Sequence, residues 1–434
     1  MKKTLLLSVV ASTMIMAGGD IAPVEPVVEA PVETSAWEFG GQAVAYTQTT
    51  DNQGDGSLFS GNDTFTAVGL QLRATNSDIF AGIGAGVELS GIAQDNNFGN
   101  AIDGRTGRNE GHNAQTQSSG LTQAYLTYGM DSINTSVKIG RQTLPKSLSP
   151  FAFSEGWQIF KNTFDAALVV NSSLPDTTLV YAYVTRANNS VGPALNGSSF
   201  NRINPTDGVH MVTAQNKSIS NLTLTGTWYY APDMVANLGA LPSGDANILW
   251  GDAKYDAGSF TVAIQGGQVS PDGLKDTTAF GAKVAGNFGM FGLSAAYSSV
   301  NDGALTISNI GTRGVKTPLY TQSILDQNAI KKDADAFKIA ATMKALGGKF
   351  GLAYINADMG KSSLGGTFFG GLNGLDAAAA AGNTSGTYEE IDVTYKTKIS
   401  ENTTLFAAYV NQSDDRFVDK SQNFVRFWAR YNFN

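Results

Sequence analysis

The sequence has no cysteine, two histidines in 434 residues, and no apolar run long enough to cross a bilayer as a helix. The missing cysteine removes disulfide-stapled scaffolds and thiol chemistry. The histidines, His112 and His210, have no G-x-S-x-G nucleophile motif nearby, and no cluster has zinc-ligand spacing. The short apolar runs exclude a helical membrane protein, which needs about 20 apolar residues per span. Charge is scarce too. Only 15% of residues are Asp, Glu, Lys or Arg, against roughly 25% in an average soluble chain. Hydrophobic residues do not fill the gap, since the mean hydropathy is −0.11. Gly (49 residues), Asn, Ser and Thr do. A net charge of −8 and a pI near 4.9 argue against nucleic-acid binding, which relies on clustered Lys and Arg.

Lys2 and Lys3 precede an apolar stretch from Leu5 to Met16, followed by the small residues Ala17, Gly18 and Gly19. That order is a secretory signal over residues 1–19. Residues 20–36 are rich in Pro, Val and Glu, a composition that favours an extended periplasmic tether over a folded element. Residues 37–434 form the folded domain.

From Trp37 onward apolar side chains recur at every second position, the period of a β-strand with two unlike faces. Val68, Leu70 and Leu72 alternate with Gln71 and Arg73; Phe337, Ile339 and Ala341 with Lys338 and Thr342. Ile391, Val393 and Tyr395 alternate with Asp392, Thr394 and Lys396, and Val425, Phe427 and Tyr431 with Arg426, Trp428 and Arg430. Thr177 to Arg186 is apolar on both faces, so its facing stays open.

Connections alternate in length. Tight turns are expected near 75–78, 131–134, 172–176, 217–220, 256–259, 287–289, 346–348 and 399–402, built from the residues hairpins use. Longer polar loops fall near 51–62, 94–116, 143–162, 187–207, 232–245, 270–276, 301–335, 359–387 and 414–421. Short turns at one end and long loops at the other fit a transmembrane antiparallel up-and-down β-barrel of about 18 strands, with 16 the alternative count. A soluble sandwich also alternates, but it has no reason to alternate its loop lengths. Aromatics such as Trp37, Tyr46, Tyr128, Tyr255, Tyr297, Tyr354, Tyr395, Tyr409, Tyr431 and Phe433 are expected to cap the outward sets as an interfacial girdle.

Ile139-Gly140-Arg141-Gln142 leads into Leu144-Pro145 and a long loop. Asn162-Thr163-Phe164-Asp165 returns to a strand, Leu174-Pro175-Asp176 makes the next turn, and Tyr183-Val184-Thr185-Arg186 ends the next strand. This order resembles the third-loop region of OprD-type porins, and the whole chain resembles an epsilonproteobacterial-style outer-membrane porin. The motif likeness is confined to roughly residues 137–186. Two features depart from the family pattern: Ala166 follows Asp165 where a Gly is common, and Phe433 is penultimate. The resemblance implies that the third long loop, 143–162, folds inward as a pore constriction carrying Lys146, Glu155 and Lys161.

With the apolar set facing lipid, the inward basic residues are Arg73, Lys138, Lys254, Lys283, Lys338, Lys344, Lys396, Arg426 and Arg430. Inward acids are fewer: Glu88, Asp252, Glu390 and Asp392. Negative charge collects in loops, at Asp51, Asp55, Asp326, Asp333 and Asp335. A basic wall draws carboxylates, and OprD-type porins use such a ladder to orient carboxylate-bearing solutes. The expected function is passive diffusion of small hydrophilic solutes across the bacterial outer membrane. The expected partners are outer-membrane lipid, lipopolysaccharide and the solutes, with monomer and homotrimer both open. No catalytic residues, metal or cofactor are expected. Gly82 to Gly86 suggests close packing in a strand rather than a dinucleotide loop, and Asp51, Asp63 and Asp103 lack calcium-loop spacing. The alternative readings are an adhesin using loops 301–335 and 359–387, and a barrel enzyme with a Ser or Asp beside His210.

Overall fold

The computed structural model describes residues 37–51, 57–59, 63–95, 116–188, 200–204, 208–234, 244–310, 316–325, 327–361, 385–416 and 421–433. The expected signal peptide, the segment 20–36, His112, Asp55, Asp103 and Asp326 lie outside these residues, as does most of loops 94–116, 187–207 and 359–387.

Alternation becomes strand wherever it was legible. The strands are β1 (Glu38–Thr50), β2 (Thr64–Phe80), β3 (Ile83–Asp95), β4 (Thr116–Met130), β5 (Thr135–Gln142), β6 (Phe164–Asn171), β7 (Thr177–Ala187) and β8 (Asn201–Arg202). They continue with β9 (Val209–Asn216), β10 (Leu222–Ala231), β11 (Ala246–Asp256), β12 (Phe260–Pro271), β13 (Thr277–Phe288) and β14 (Phe291–Val300). The last are β15 (Ala334–Ala345), β16 (Gly348–Met359), β17 (Gly386–Lys398), β18 (Thr403–Asp414) and β19 (Ser421–Phe433). Neighbours in sequence pair antiparallel, β7 pairs with β9, and β1 pairs with β19 from Gly41↔Phe433 to Thr50↔Phe424, which closes the ring. The two-residue β8 adds to β7 just beyond the end of β9. The wall is therefore a closed barrel of 18 strands. Closure removes both sheet edges, so no row of backbone donors and acceptors is left open.

The barrel is inverted relative to a soluble core. Leu70, Leu249, Ile339 and Leu352 are each about half exposed on the outer face, whereas Ala67, Ala353 and Ile355 are buried on the inner one. The open question at β7 is settled: Leu179 and Tyr181 point outward, while Val180, Ala182 and Val184 are buried inside. Its inner face is apolar because an apolar loop packs on it.

Seven of the expected tight turns join strands within a residue or so of the expected positions. The first does not. β2 runs on to Phe80 through a bulge between Asn76 and Phe80, and the hairpin turns at Ala81–Gly82. The polar residues that signal a turn serve the bulge instead: Asn76 accepts the Asp78 amide at 2.9 Å, and Asp78 accepts the Gly82 amide at 2.9 Å. Gly86, in the glycine run, lies under the Tyr125 ring, where a Cβ would come within 2.3 Å of ring carbon. Close packing is its role.

Candidate functional site: the lumen and its two inward loops

The lumen is built from the residues that the strands turn inward, together with two loops that fold into it. The first is the loop between β5 and β6. Leu144, Phe151, Phe153, Trp157, Ile159 and Phe160 are all buried. Phe151 packs edge-on against Tyr229 (5.8 Å) and Trp250 (5.3 Å), and its amide donates to the Tyr229 hydroxyl at 3.0 Å. Trp157 packs edge-on against Phe406 at 5.9 Å. Glu155 is buried because its carboxylate accepts the Trp157 amide at 2.7 Å, while its own amide donates to Asn162 at 2.8 Å. Lys146 is half-buried, with Nζ 5.1 Å from the Phe153 ring centre and 3.4 Å from Gln322 Oε1. Lys161, at the end of the loop, is half-buried too.

The second inward loop was not legible. Residues 301–333, expected among the polar outer loops, are buried through nearly all of their described length. Leu305, Ile307, Ile310, Leu319 and Ile324 carry the burial. Asn309 locks the two loops together: its Oδ1 accepts the Phe153 amide at 3.1 Å and its Nδ2 donates to the Phe153 carbonyl at 2.8 Å. The Ile310 amide adds a bond to the Phe151 carbonyl at 2.8 Å. A surface-contact role for this loop, as the adhesin reading requires, does not fit its position.

The wall holds these loops with charge. Glu390 accepts the backbone amides of Ile324 (2.5 Å) and Leu325 (3.0 Å) and the Tyr388 hydroxyl (2.5 Å). Such charge-assisted bonds contribute about 1.5–3 kcal/mol each. Lys338 donates to the Gln322 carbonyl at 2.6 Å, and Asp392 lies buried beside Glu390 and Lys338. Tyr320 donates to Asp252. Burial and the Asp252 carboxylate push the Tyr320 phenol upward. On the other loop, Arg426 donates to the Trp157 carbonyl and to Gln48, both at 2.7 Å, with its guanidinium 4.0 Å from the Trp157 ring centre. Arg430 donates to the Ile159 carbonyl at 2.9 Å. Tyr46, placed in the outer girdle by the sequence, points inward 5.0 Å from Arg426 and is 2% exposed. It fills space under the loop where lipid would otherwise have been its partner.

Other inward charges stay partly open. Arg73 faces Glu88 across β2 and β3, bonded at 2.9 Å, and Glu88 also takes Gln71 and Thr122, each at 2.9 Å. Lys138 sits 3.6 Å over the Tyr125 ring. Lys254 and Lys283 are half-buried on β11 and β13. At the short-turn end, Lys344 lies directly opposite Lys349, and Lys349 directly opposite Lys396. All three share the inward parity of the buried Ala340, Ala353 and Asp392. This row of three lysines contains no carboxylate. Lys349 was missed in the sequence because its strand begins Gly-Lys-Phe-Gly, too short an alternation to fix its facing. Asp335, grouped with the loops by sequence, lies on β15 and accepts the Tyr297 hydroxyl at 2.7 Å.

His210 lies on the outer face between Tyr183 and Tyr230 and is bonded at 2.9 Å to the Tyr181 hydroxyl. Its neighbours are phenol rings where the barrel-enzyme reading required a Ser or Asp.

No family model matches the chain, and no curated protein matches it in sequence. Solved structures do. The chain is similar to OccD3 (OpdP) of Pseudomonas aeruginosa, with 14% identity over 91% of each chain and a TM-score of 0.66. It is similar to OccAB3 of Acinetobacter baumannii, with 13% identity over 92% of this chain and 100% of that one, TM-score 0.66. OccK3 (OpdO) of Pseudomonas aeruginosa matches at 14% identity over 91% and 95%, TM-score 0.63. These structures are outer-membrane porins of the OprD family. At such identity the likeness is one of fold: the chain shares with these structures a closed, eighteen-stranded antiparallel barrel.

Proposed function

We propose that the protein is an outer-membrane channel for passive diffusion of small hydrophilic solutes, favouring those that carry a carboxylate. The apolar outer belt supports placement in lipid, and a ring of eighteen strands is too wide for wall side chains alone to fill. A signal peptide at 1–19 and a periplasmic segment at 20–36 suit export to that membrane, with the short turns facing the periplasm. The two inward loops form the constriction, with Lys146, Glu155 and Lys161 on the first.

The single observation that carries the solute preference is the lysine row Lys344–Lys349–Lys396 at the short-turn mouth. Like charges directly opposite across strands repel, and an anion entering the mouth relieves that repulsion. Lys254, Lys283, Lys138 and Arg73 extend the basic surface along the inner wall, while Glu390 and Asp392 are buried beneath a loop. A low-dielectric channel lined by one sign focuses its field on permeant ions.

Single-channel recording of the purified, folded protein in planar bilayers tests the channel, and absence of conductance would sink it. Reversal potentials in a KCl gradient test the preference. Chloride is expected to permeate better than potassium; a cation preference that persists in Lys344→Gln/Lys349→Gln/Lys396→Gln contradicts it.

A further inference from the structure

The strands β15 to β19 concentrate positive charge at their short-turn ends. Lys344, Lys349, Lys396 and Lys398 take inward positions on β15 to β17, and Arg430 takes one on β19. Lys398 and Arg430 both lie directly opposite Thr404 of β18 and so flank it. Arg430 and Lys398 act on Lys396 as like charges, and Lys344 acts so on Lys349. Among the described residues, Glu401 in the turn after β17 is the single carboxylate on these strand ends. Lys344 and Lys398 are exposed, and the other three basic side chains are half-buried. Like charges held side by side across strands repel, so this rim favours a counter-charge from outside the wall.

The chain carries one in its own N-terminal segment. Residues 20–36 hold four carboxylates, Asp20, Glu25, Glu29 and Glu33, and no Lys, Arg or His. Pro23, Pro26 and Pro31 favour the extended polyproline form, about 3.1 Å per residue. The segment joins the barrel at the same rim, because β1 starts at Glu38 and pairs there with the end of β19.

The lengths agree. By way of β19 and β18, β17 is three strands from β1 and β15 is five, which is about 14 and 24 Å along the wall. Glu33 precedes Trp37 by four residues and Glu29 by eight, extended reaches of about 12 and 25 Å. We propose that residues 20–36 dock on the short-turn mouth, Glu33 beside Lys396, Lys398 and Arg430, and Glu29 beside Lys344 and Lys349. A tether this short holds its carboxylates at the rim at an effective concentration on the order of millimolar. The docked segment is then a built-in counter-charge that a permeating anion displaces. That consequence rests on the channel reading above; the docking itself does not.

The absence of cysteine from the sequence makes cross-linking a direct test. In the full-length protein, Val32→Cys is paired with Thr404→Cys, between Lys398 and Arg430. A control pairs Val32→Cys with Thr127→Cys, which faces inward on β4, three strands from β1 in the other direction. Five extended residues, about 16 Å, reach either site. In dilute salt with a mild oxidant, the Thr404 pair should form its disulfide on the order of tenfold faster than the Thr127 pair. Adding Glu25→Gln/Glu29→Gln/Glu33→Gln, or raising salt to about 1 M, should bring the two rates together. Heat-modifiable gel mobility shows that each variant is folded. Equal rates with all charges in place, or an advantage unmoved by the glutamine changes, would overturn the docking.

Conductance reads the consequence separately. Deleting residues 20–36, with the signal retained, should raise the chloride-to-potassium permeability ratio about two- to threefold in dilute salt. The same deletion should leave the ratio unmoved in Lys344→Gln/Lys349→Gln/Lys396→Gln/Lys398→Gln. An unchanged ratio in the deletion alone would overturn the segment's part in permeation. A fast Thr404 cross-link in a protein that never conducts would fault the channel reading and uphold the docking.

Discussion

The two ends of the lumen use the same residue types for different ends. Toward the long loops, Arg426, Lys338 and Glu390 point inward from the wall and are consumed by backbone groups of the two loops, and Arg430, near Lys396 on the short-turn side, is held by the Ile159 carbonyl. Toward the short turns, Lys344, Lys349 and Lys396 point inward with the same strand parity, Lys344 exposed and the other two half-buried. Strand parity decides only that a charge faces inward. Whatever packs above it decides whether the charge fastens the structure or meets a solute.

Breaking the fastening should produce the largest effect. Glu390→Ala removes two charge-assisted bonds to the 301–333 loop, about 3 kcal/mol or more of anchoring. Conductance should rise and become noisy, and limited proteolysis should open a new cut in that loop. An intact loop and quiet channel would show that the apolar contacts suffice. The next largest change is expected from Lys344→Gln/Lys349→Gln/Lys396→Gln, which should lower the chloride-to-potassium permeability ratio on the order of tenfold without loosening either loop. Arg426→Gln draws the contrast from the other side. Loss of its bonds to Trp157 and Gln48 should cost about 1.5–3 kcal/mol of loop packing and increase open-channel noise, with the reversal potential nearly unmoved. If its selectivity falls as far as that of the triple variant, the two ends are not distinct.

A smaller effect sharpens the boundary between them. Lys316, on the second loop, is pushed below the ordinary lysine value of 10.5, first by burial. A lowered lysine pKa means the proton leaves earlier as pH rises, so this positive charge is lost before those of ordinary lysines. Reversal potentials measured from about pH 8 to 10 should show an early decline in anion preference of less than about twofold. Lys316→Met should diminish that early decline.

The barrel wall was legible because lipid and water impose a strict period of two, and a slip of one residue would reverse every side chain. Arg73, Lys138, Lys254, Lys283, Lys338, Lys396, Arg426, Arg430 and Asp392 were expected on the inner face on that ground alone. Local chemistry misled where it served something smaller than a strand, as at Asn76 and Asp78, whose polar side chains shape a bulge. The 301–333 loop was illegible for a different reason. Its Thr, Ser, Asn and Lys residues resemble a solvated loop, yet in the barrel their polar groups bond to the other loop and to the wall.

The sequence by itself determined the strand meander, a count of about eighteen crossings with sixteen left open, the alternation of short and long connections and the expected inward sense of the basic residues on clearly alternating strands. These follow from nearest-neighbour pairing and from the two solvents on either side of a strand. Only the tertiary structure decided which inward charges are covered, that two loops fill the long-loop half together, and that Lys344, Lys349 and Lys396 form one inner row. Those facts depend on contacts between residues up to about 270 positions apart, such as Trp157 with Arg426, and on the relative register of three strands. No local pattern encodes either.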